Sequence, residues 1–153
     1  MKIGVISDTH GFLDPKVEKI FAGVKHILHA GDVCDPVIPL ELQFIAPVTI
    51  VAGNTDLGSS FCDTETVTLD GIKFLVHHIV SPFDPSDRLA AALRRERPQA
   101  VIFGHTHKAY AETIDGVLYF NPGYSGKPKL GPERSVGILH LNQGKIRHEF
   151  VAL

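Results

Sequence analysis

Nothing in this chain of 153 residues reaches the roughly 18 consecutive apolar residues that a membrane-spanning helix needs, so no membrane span is expected. An excess of one charge is missing as well: 15 lysines and arginines stand against 17 aspartates and glutamates, a net charge of −2. Without a basic stripe, generic binding of nucleic acid through its phosphates is excluded, although a short nucleotide held at a metal is not. Cysteine is scarce. Cys34 and Cys62 form no CxxC pair, which favours two reduced thiols over a disulfide framework. Met1 and Lys2 lead into an apolar run with no signal-peptide pattern, so the expected location is cytoplasmic. Linkers, repeats and low-complexity tracts are absent. The length fits a single domain over 1–153, able to bury roughly 68–70% of its unfolded surface without staples.

What is present is a series of short apolar runs separated by turn residues, the pattern of buried strands. The first half alternates strand and helix. Strands are expected over 2–7, 26–30 and 48–52, with one helix from Asp14, carrying Pro15 in its first turn, and another from Asp35 and Pro36. Such a βαβαβ unit implies parallel strands and right-handed crossovers. Asp70-Gly71 then turns a hairpin between 64–69 and 72–77, and Asp115-Gly116 a second between 110–114 and 117–120. A third helix spans 86–97, stopped by Pro98 and followed by a strand at 100–103; strands at 135–141 and 145–152 close the chain. The fold class is α/β: two mixed β-sheets packed face to face with helices on the outside.

Five of the apolar runs end in a side chain able to hold a metal: Asp8, Asp32, Asn54, His77 and His105. In open α/β sheets the carboxyl ends of the strands line the ligand crevice, so these side chains are expected to converge. His10 and His107, each two residues beyond a strand-end ligand, join them. Seven buried polar groups at one end of a sheet would be costly without a cation to satisfy them.

Asp-x-His at 8–10, Gly-Asp at 31–32, Gly-Asn-x-Asp at 53–56, a strand-end histidine at 77 and Gly-His-x-His at 104–107 resemble the calcineurin-like metallophosphoesterases. The length and motif order are similar to the compact single-domain phosphodiesterase branch, over residues 3 to 123. The resemblance implies a metal-dependent phosphoesterase, most simply a phosphodiesterase, with two divalent ions and a metal-bound hydroxide as nucleophile. By family role, Asp8, His10, Asp32 and His107 would hold one ion, and Asp32, Asn54, His77 and His105 the other, with Asp32 bridging. Two such ions roughly 3.5–4 Å apart acidify a shared water and clamp the phosphate during in-line displacement. The mixed donor set suits manganese, with nickel, iron, cobalt, zinc or magnesium as alternatives. Asp56 would orient a neighbouring group from behind.

Several positions depart from the family pattern. Thr55 stands where many members place a histidine that protonates the leaving oxygen, and a threonine hydroxyl is far too weak an acid for that task. His77-His78 replaces the common His-Gly, so two histidines compete for one ligand position. His77 is taken as the ligand because it ends the run; His78 is either a substrate-side proton donor or an exposed loop residue. Asn121-Pro122-Gly123-Tyr124 resembles the branch's Asn-Pro-Gly-Ser with tyrosine for serine, and Lys127 and Lys129 beyond it read first as solvated loop residues, with contact to a substrate phosphate as the alternative. Cys34 reads as a small buried hydrophobe, and His26 and His29 as packing or surface residues. The alternatives are a phosphomonoesterase acting on a small metabolite and a non-catalytic partner-binding scaffold, as in the small retromer subunit of this fold. Exposed strand edges make a homodimer a further expectation.

Overall fold

In the computed structural model, which describes residues 1–153, the apolar runs become ten strands and three helices. One sheet contains β1 (Lys2–Ile6), β2 (Ile27–His29), β3 (Val48–Ile50), β9 (Ser135–Asn142) and β10 (Lys145–Ala152), in the order β10-β9-β1-β2-β3. The other contains β4 (Thr64–Leu69), β5 (Ile72–His77), β6 (Ala100–Ile102), β7 (Ala109–Ile114) and β8 (Val117–Pro122), in the order β4-β5-β6-β8-β7. Each sheet has three parallel strands: β1-β2-β3 run to one edge of the first, with β9 and β10 antiparallel beyond β1, and β5-β6-β8 form the centre of the second, flanked by antiparallel β4 and β7. Strands β4, β5 and β10 span the residues expected from sequence; the others differ by one or two residues at an end.

Alternation of side chains along the strands divides the core into three layers. Ile3, Val5, Leu28 and Leu139 of the first sheet meet Ile72, Phe74, Val76, Ile102 and Phe120 of the second in the central layer. The opposite face of the first sheet, with Ile6, Ile27, Val136 and Ile138, is covered by Val17 of α1 (Lys16–Ile20) and by Ile38 and Leu42 of α2 (Val37–Gln43). Leu75, Val101 and Tyr119 on the outer face of the second sheet lie under Leu89 and Ala92 of α3 (Asp87–Glu96). The result is the expected arrangement of sheets within and helices without. Truncating a fully buried residue such as Phe74 or Phe120 to alanine would cost about 3–5 kcal/mol.

Local chemistry sets the turns. Both residues of Asp70-Gly71, Asp115-Gly116 and Gln143-Gly144 have positive φ, the signature of the two-residue turn whose twist matches that of a hairpin. The α3 helix opens on Ser86, whose hydroxyl accepts from the Leu89 N–H, and closes on Arg97 in the left-handed conformation before Pro98. No helix is long and apolar enough to cross a membrane.

Candidate metal centre

The parallel strands carry their chemistry at their carboxyl ends. Three times the chain leaves a strand with two left-handed residues flanking one ordinary one: Asp8 and His10 after β1, Asp32 and Cys34 after β2, His105 and His107 after β6. These six are the majority of the ten non-glycine residues with positive φ. Backbone in this region costs of order 1–3 kcal/mol per residue and persists where surrounding structure enforces it, typically at functional sites. The enforcement is visible. Past the ends of β1 and β2 the two segments continue side by side, the Asp8 N–H donating to Gly31 O at 3.0 Å and the His10 N–H to Asp32 O at 2.9 Å. Gly53 and Gly104 permit the closest approach: a Cβ on Gly53 would collide with the Asp32 carboxylate, and one on Gly104 with the Ser7 hydroxyl.

Two groups of ligand atoms result, Asp8–His10–His107 and Asp8–Asp32–His78, each with its atoms within 4.8 Å of one another. Asp32 Oδ2 lies 3.5 Å from His10 Nε2 and 3.4 Å from His78 Nε2, so both carboxylates stand between the two sets of imidazoles. His107 Nε2 is 3.3 Å from Asp8 Oδ1 and 3.3 Å from His10 Nε2. Asn54 Oδ1 faces His105 Nδ1 at 2.9 Å and His78 Nε2 at 3.1 Å. Of the residues expected from sequence, Asp8, His10, Asp32, Asn54, His105 and His107 are therefore brought together.

His77 is not. Its Nδ1 pairs with Thr64 Oγ1 of the neighbouring strand at 2.8 Å, and His78 takes the position in the cluster. The reason is the two-residue period of the strand. Ile72, Phe74 and Val76 face the central layer, so His78 continues their side, while His77 shares that of Leu75 toward the outside. His78 is also no exposed loop residue: it is 3% exposed, with Nδ1 held 2.6 Å from Ala30 O.

That contact decides whether the group fits a cation. A carbonyl only accepts, so Nδ1 of His78 carries the proton, and burial holds the imidazole below its ordinary pKa and therefore neutral. Nε2 then presents a lone pair to Asp32 Oδ2 and Asn54 Oδ1, an arrangement of facing acceptors that a cation turns from repulsion into ligation. Asp8 points the same way. Burial pushes its carboxyl up to about 7, against the hydrogen bonds from Ser7 Oγ at 2.6 Å and the His105 N–H. A divalent ion supplies the charge that this burial removes from reach of water. Burial also acts to raise Asp32, but the hydrogen bonds from the Thr55 hydroxyl and N–H oppose it, and the carboxyl lies below its ordinary value. Aspartate, imidazole and amide donors of this kind suit borderline first-row ions.

Around the ligands, Asp56 accepts from the N–H groups of Gly53 at 2.8 Å, Val33 at 3.1 Å and Cys34 at 2.8 Å, tying the segment that bears Asn54 to the segment that bears Asp32. Asn121 Nδ2 donates to Gly104 O at 2.8 Å and to Thr106 Oγ1 at 3.1 Å, holding the segment of His105 and His107. Sequence reading missed two supports. Ser7 buttresses Asp8, and the fully buried His29 accepts from the Gly31 N–H through Nδ1 and donates from Nε2 to Thr9 Oγ1 at 3.1 Å. Burial pushes His29 down to about 4, so it is neutral there. Cys34 also departs from the buried role expected of it. It is exposed, with Sγ 3.1 Å from Thr55 Oγ1 and 3.8 Å from His10 Nδ1. Asp32-x-Cys34 repeats the spacing of Asp8-x-His10, and that echo was the available signal.

A profile describing the calcineurin-like phosphoesterase superfamily domain matches residues 1–144. The chain belongs to this superfamily. A probable metallophosphoesterase of Methanothermobacter thermautotrophicus is 31% identical, the match covering 99% of this chain and 92% of that protein. Among solved structures, a novel archaeal phosphodiesterase is 26% identical and superposes with a TM-score of 0.75, over 99% of this chain and all of the other. Wild-type Vps29 of Entamoeba histolytica, solved with zinc, shares the fold at a TM-score of 0.74 and 24% identity, over 99% of both chains. Membership in the superfamily, with a phosphodiesterase among the relatives, supports a hydrolase of phosphoric esters that uses divalent metal. In this chain the second histidine of the 77–78 pair lies in the cluster, Thr55 pairs with Cys34, and Tyr124 stands beside His107, their ring centroids 4.8 Å apart.

Proposed function

We propose that the protein is a phosphodiesterase with a dinuclear metal centre. The observation that carries this reading is the pair of ligand groups that share Asp8, with Asp32 of one lying 3.5 Å from His10 of the other. Asp8, His10, Asp32 and His107 would hold one ion, and Asp32, Asn54, His78 and His105 the other, with manganese as the resident metal. When bound, two such ions supply Lewis acidity toward the phosphate oxygens and acidify the water that attacks phosphorus in line. The chain's own residues do the rest. The hydrogen bonds of Asp56 and Asn121 set the spacing of the three ligand-bearing segments, and the Nδ1–H of His78 on Ala30 O keeps its Nε2 lone pair aimed inward. Thr55 Oγ1 beside Cys34 Sγ is too weak an acid to protonate the leaving oxygen, so the reading favours esters whose leaving group departs unaided.

The test is hydrolysis of bis(p-nitrophenyl) phosphate by chelator-stripped protein, before and after Mn²⁺, with p-nitrophenyl phosphate in parallel. Metal-restored turnover of the diester, lost in Asp32→Asn, supports the reading; turnover of the monoester alone would make the protein a phosphomonoesterase. A second reading is a partner-binding scaffold, favoured by one observation: Val37, Leu40 and Phe44 form an apolar stripe along α2 and are 51%, 57% and 91% exposed. Failure to hydrolyse either ester with any divalent metal would favour that reading. A cytoplasmic location and a homodimer on an open sheet edge belong to the same proposal, and sedimentation velocity tests the latter.

A further inference from the structure

Beside His107 a groove of about 1210 Å³ opens between β10 and the loop of residues 127–133. The loop is pinned at both ends. Tyr124 Oη donates to Lys127 O at 3.1 Å, and Arg134 donates to Gly126 O at 2.7 Å while pairing with Asp14 at 2.6 Å. The Tyr124 ring is buried, 4.8 Å from the His107 ring and 6.1 Å from that of His10, and Lys129 Nζ is seated over it at 4.3 Å from the centroid. A cation over a buried aromatic face is held in place at a cost in rotamer freedom already met by the contact.

The charges lining the groove are unbalanced. Arg134 is committed to Asp14, but Lys108 and Lys129 make no ion pair with any carboxylate. Glu133 is the single acidic residue in the lining. Neither lysine belongs to the ligand groups around Asp8 and Asp32, so both ammonium groups are free to meet an anion beside that centre. Leu130 and Phe150, both exposed, give the same groove an apolar floor.

We propose that this groove is a second anion subsite, in which Lys129 on Tyr124, with Lys108, takes a phosphate on the substrate arm beyond the scissile bond while the apolar floor takes an aryl or base-like group. The preferred substrate is then a phosphodiester that carries a further phosphate. This rests on the phosphodiesterase reading and narrows its substrate class. Tyr124 is a positioning residue here: its ring is the seat on which Lys129 rests.

The experiment compares thymidine 5′-(p-nitrophenyl) phosphate with its 3′-phosphorylated counterpart on Mn²⁺-loaded protein, with bis(p-nitrophenyl) phosphate as reference. The 3′-phosphate should raise kcat/KM about tenfold, the scale of one partly exposed charge-assisted hydrogen bond. Lys129→Gln should remove most of that ratio, Lys129→Arg should keep it because a guanidinium also stacks on the ring, and Lys127→Gln on the same loop should leave it unchanged. Titration calorimetry gives a readout apart from turnover: thymidine 3′,5′-bisphosphate should bind about tenfold tighter than thymidine 5′-phosphate, and Lys129→Gln should bring the two together. Equal kcat/KM for the two esters in the wild type, or a ratio that survives Lys129→Gln, overturns the subsite. Failure to hydrolyse bis(p-nitrophenyl) phosphate overturns the phosphodiesterase reading instead, and the calorimetric difference then decides the subsite alone.

Discussion

Replacing Asp8 by asparagine should stabilise the metal-free protein near and above neutral pH while removing its capacity to hold metal at that position. The Asp8 carboxyl is fully buried, and burial raises its pKa from 3.8 to about 7. A raised carboxyl keeps a proton in the folded state that the unfolded chain releases, so its contribution to stability falls as pH rises from about 4 to about 7 and then levels off. The difference of about three units corresponds to about 4 kcal/mol, an upper bound because side-chain relaxation and water entry soften the penalty. Half of it, about 2 kcal/mol, corresponds to about 4–8 °C in Tm for a chain of this length. The buried imidazoles act in the opposite sense. His29, pushed down to about 4, and His26, His77, His78 and His107, also lowered by burial, contribute stability that is lost as pH falls below 6.5. Because both proteins share those groups, the difference between them isolates Asp8. Urea unfolding of chelator-stripped wild type and Asp8→Asn at pH 5, 6, 7 and 8 should show the variant gaining about 1–3 kcal/mol on the wild type across that range, since about one of the three units is already lost below pH 5. Mn²⁺ should then stabilise the wild type more than the variant, which keeps intact only the Asp32, Asn54, His78 and His105 donor set. A stability difference independent of pH, or one that shrinks toward pH 8, would refute the reasoning that Asp8 is a strained carboxylate awaiting a cation.

Three further outcomes follow from the same geometry. His78→Ala should weaken metal binding by at least about 10–100-fold, whereas His77→Ala should lose only the Thr64 contact and cost about 1 kcal/mol or less in stability; calorimetric metal titration with thermal melts separates them. Asp56→Ala should lower metal affinity or activity about 10–100-fold although it touches no ligand atom, since three N–H groups lose their acceptor, and Asp56→Asn should recover part of the loss in the same titration. With no acid of suitable pKa at Thr55, log kcat should fall steeply with leaving-group pKa across a series of aryl phosphodiesters. A flat dependence would point to another proton donor.

Much of the scaffold was legible because it is written in local pattern. The Asp-Gly and Gln-Gly turns, the Ser86 cap and the two-residue alternation of β4, β5 and β10 each depend on a few neighbouring residues. The strand-end motifs located six of the side chains that the structure brings together for the same reason: a loop leaving a buried parallel strand opens into the crevice whatever its partners are. The exchange of His77 for His78 shows where that logic was applied too loosely. Ending an apolar run does not select the inward side chain; the face shared with Ile72, Phe74 and Val76 does.

The amino-acid order alone determined the two-sheet class, the superfamily and the chemistry of the ligands, because these rest on periodicity and on residue types at short fixed spacings. Only the tertiary structure decided the strand order, the burial that makes Asp8 call for a cation, the exposed pairing of Cys34 with Thr55, and the seat that Tyr124 makes for Lys129 beside His107. Those contacts join distant segments, as when His10 meets His107 across 97 positions. Such contacts depend on how two sheets close upon each other, a property of the packed core that no window along the chain contains.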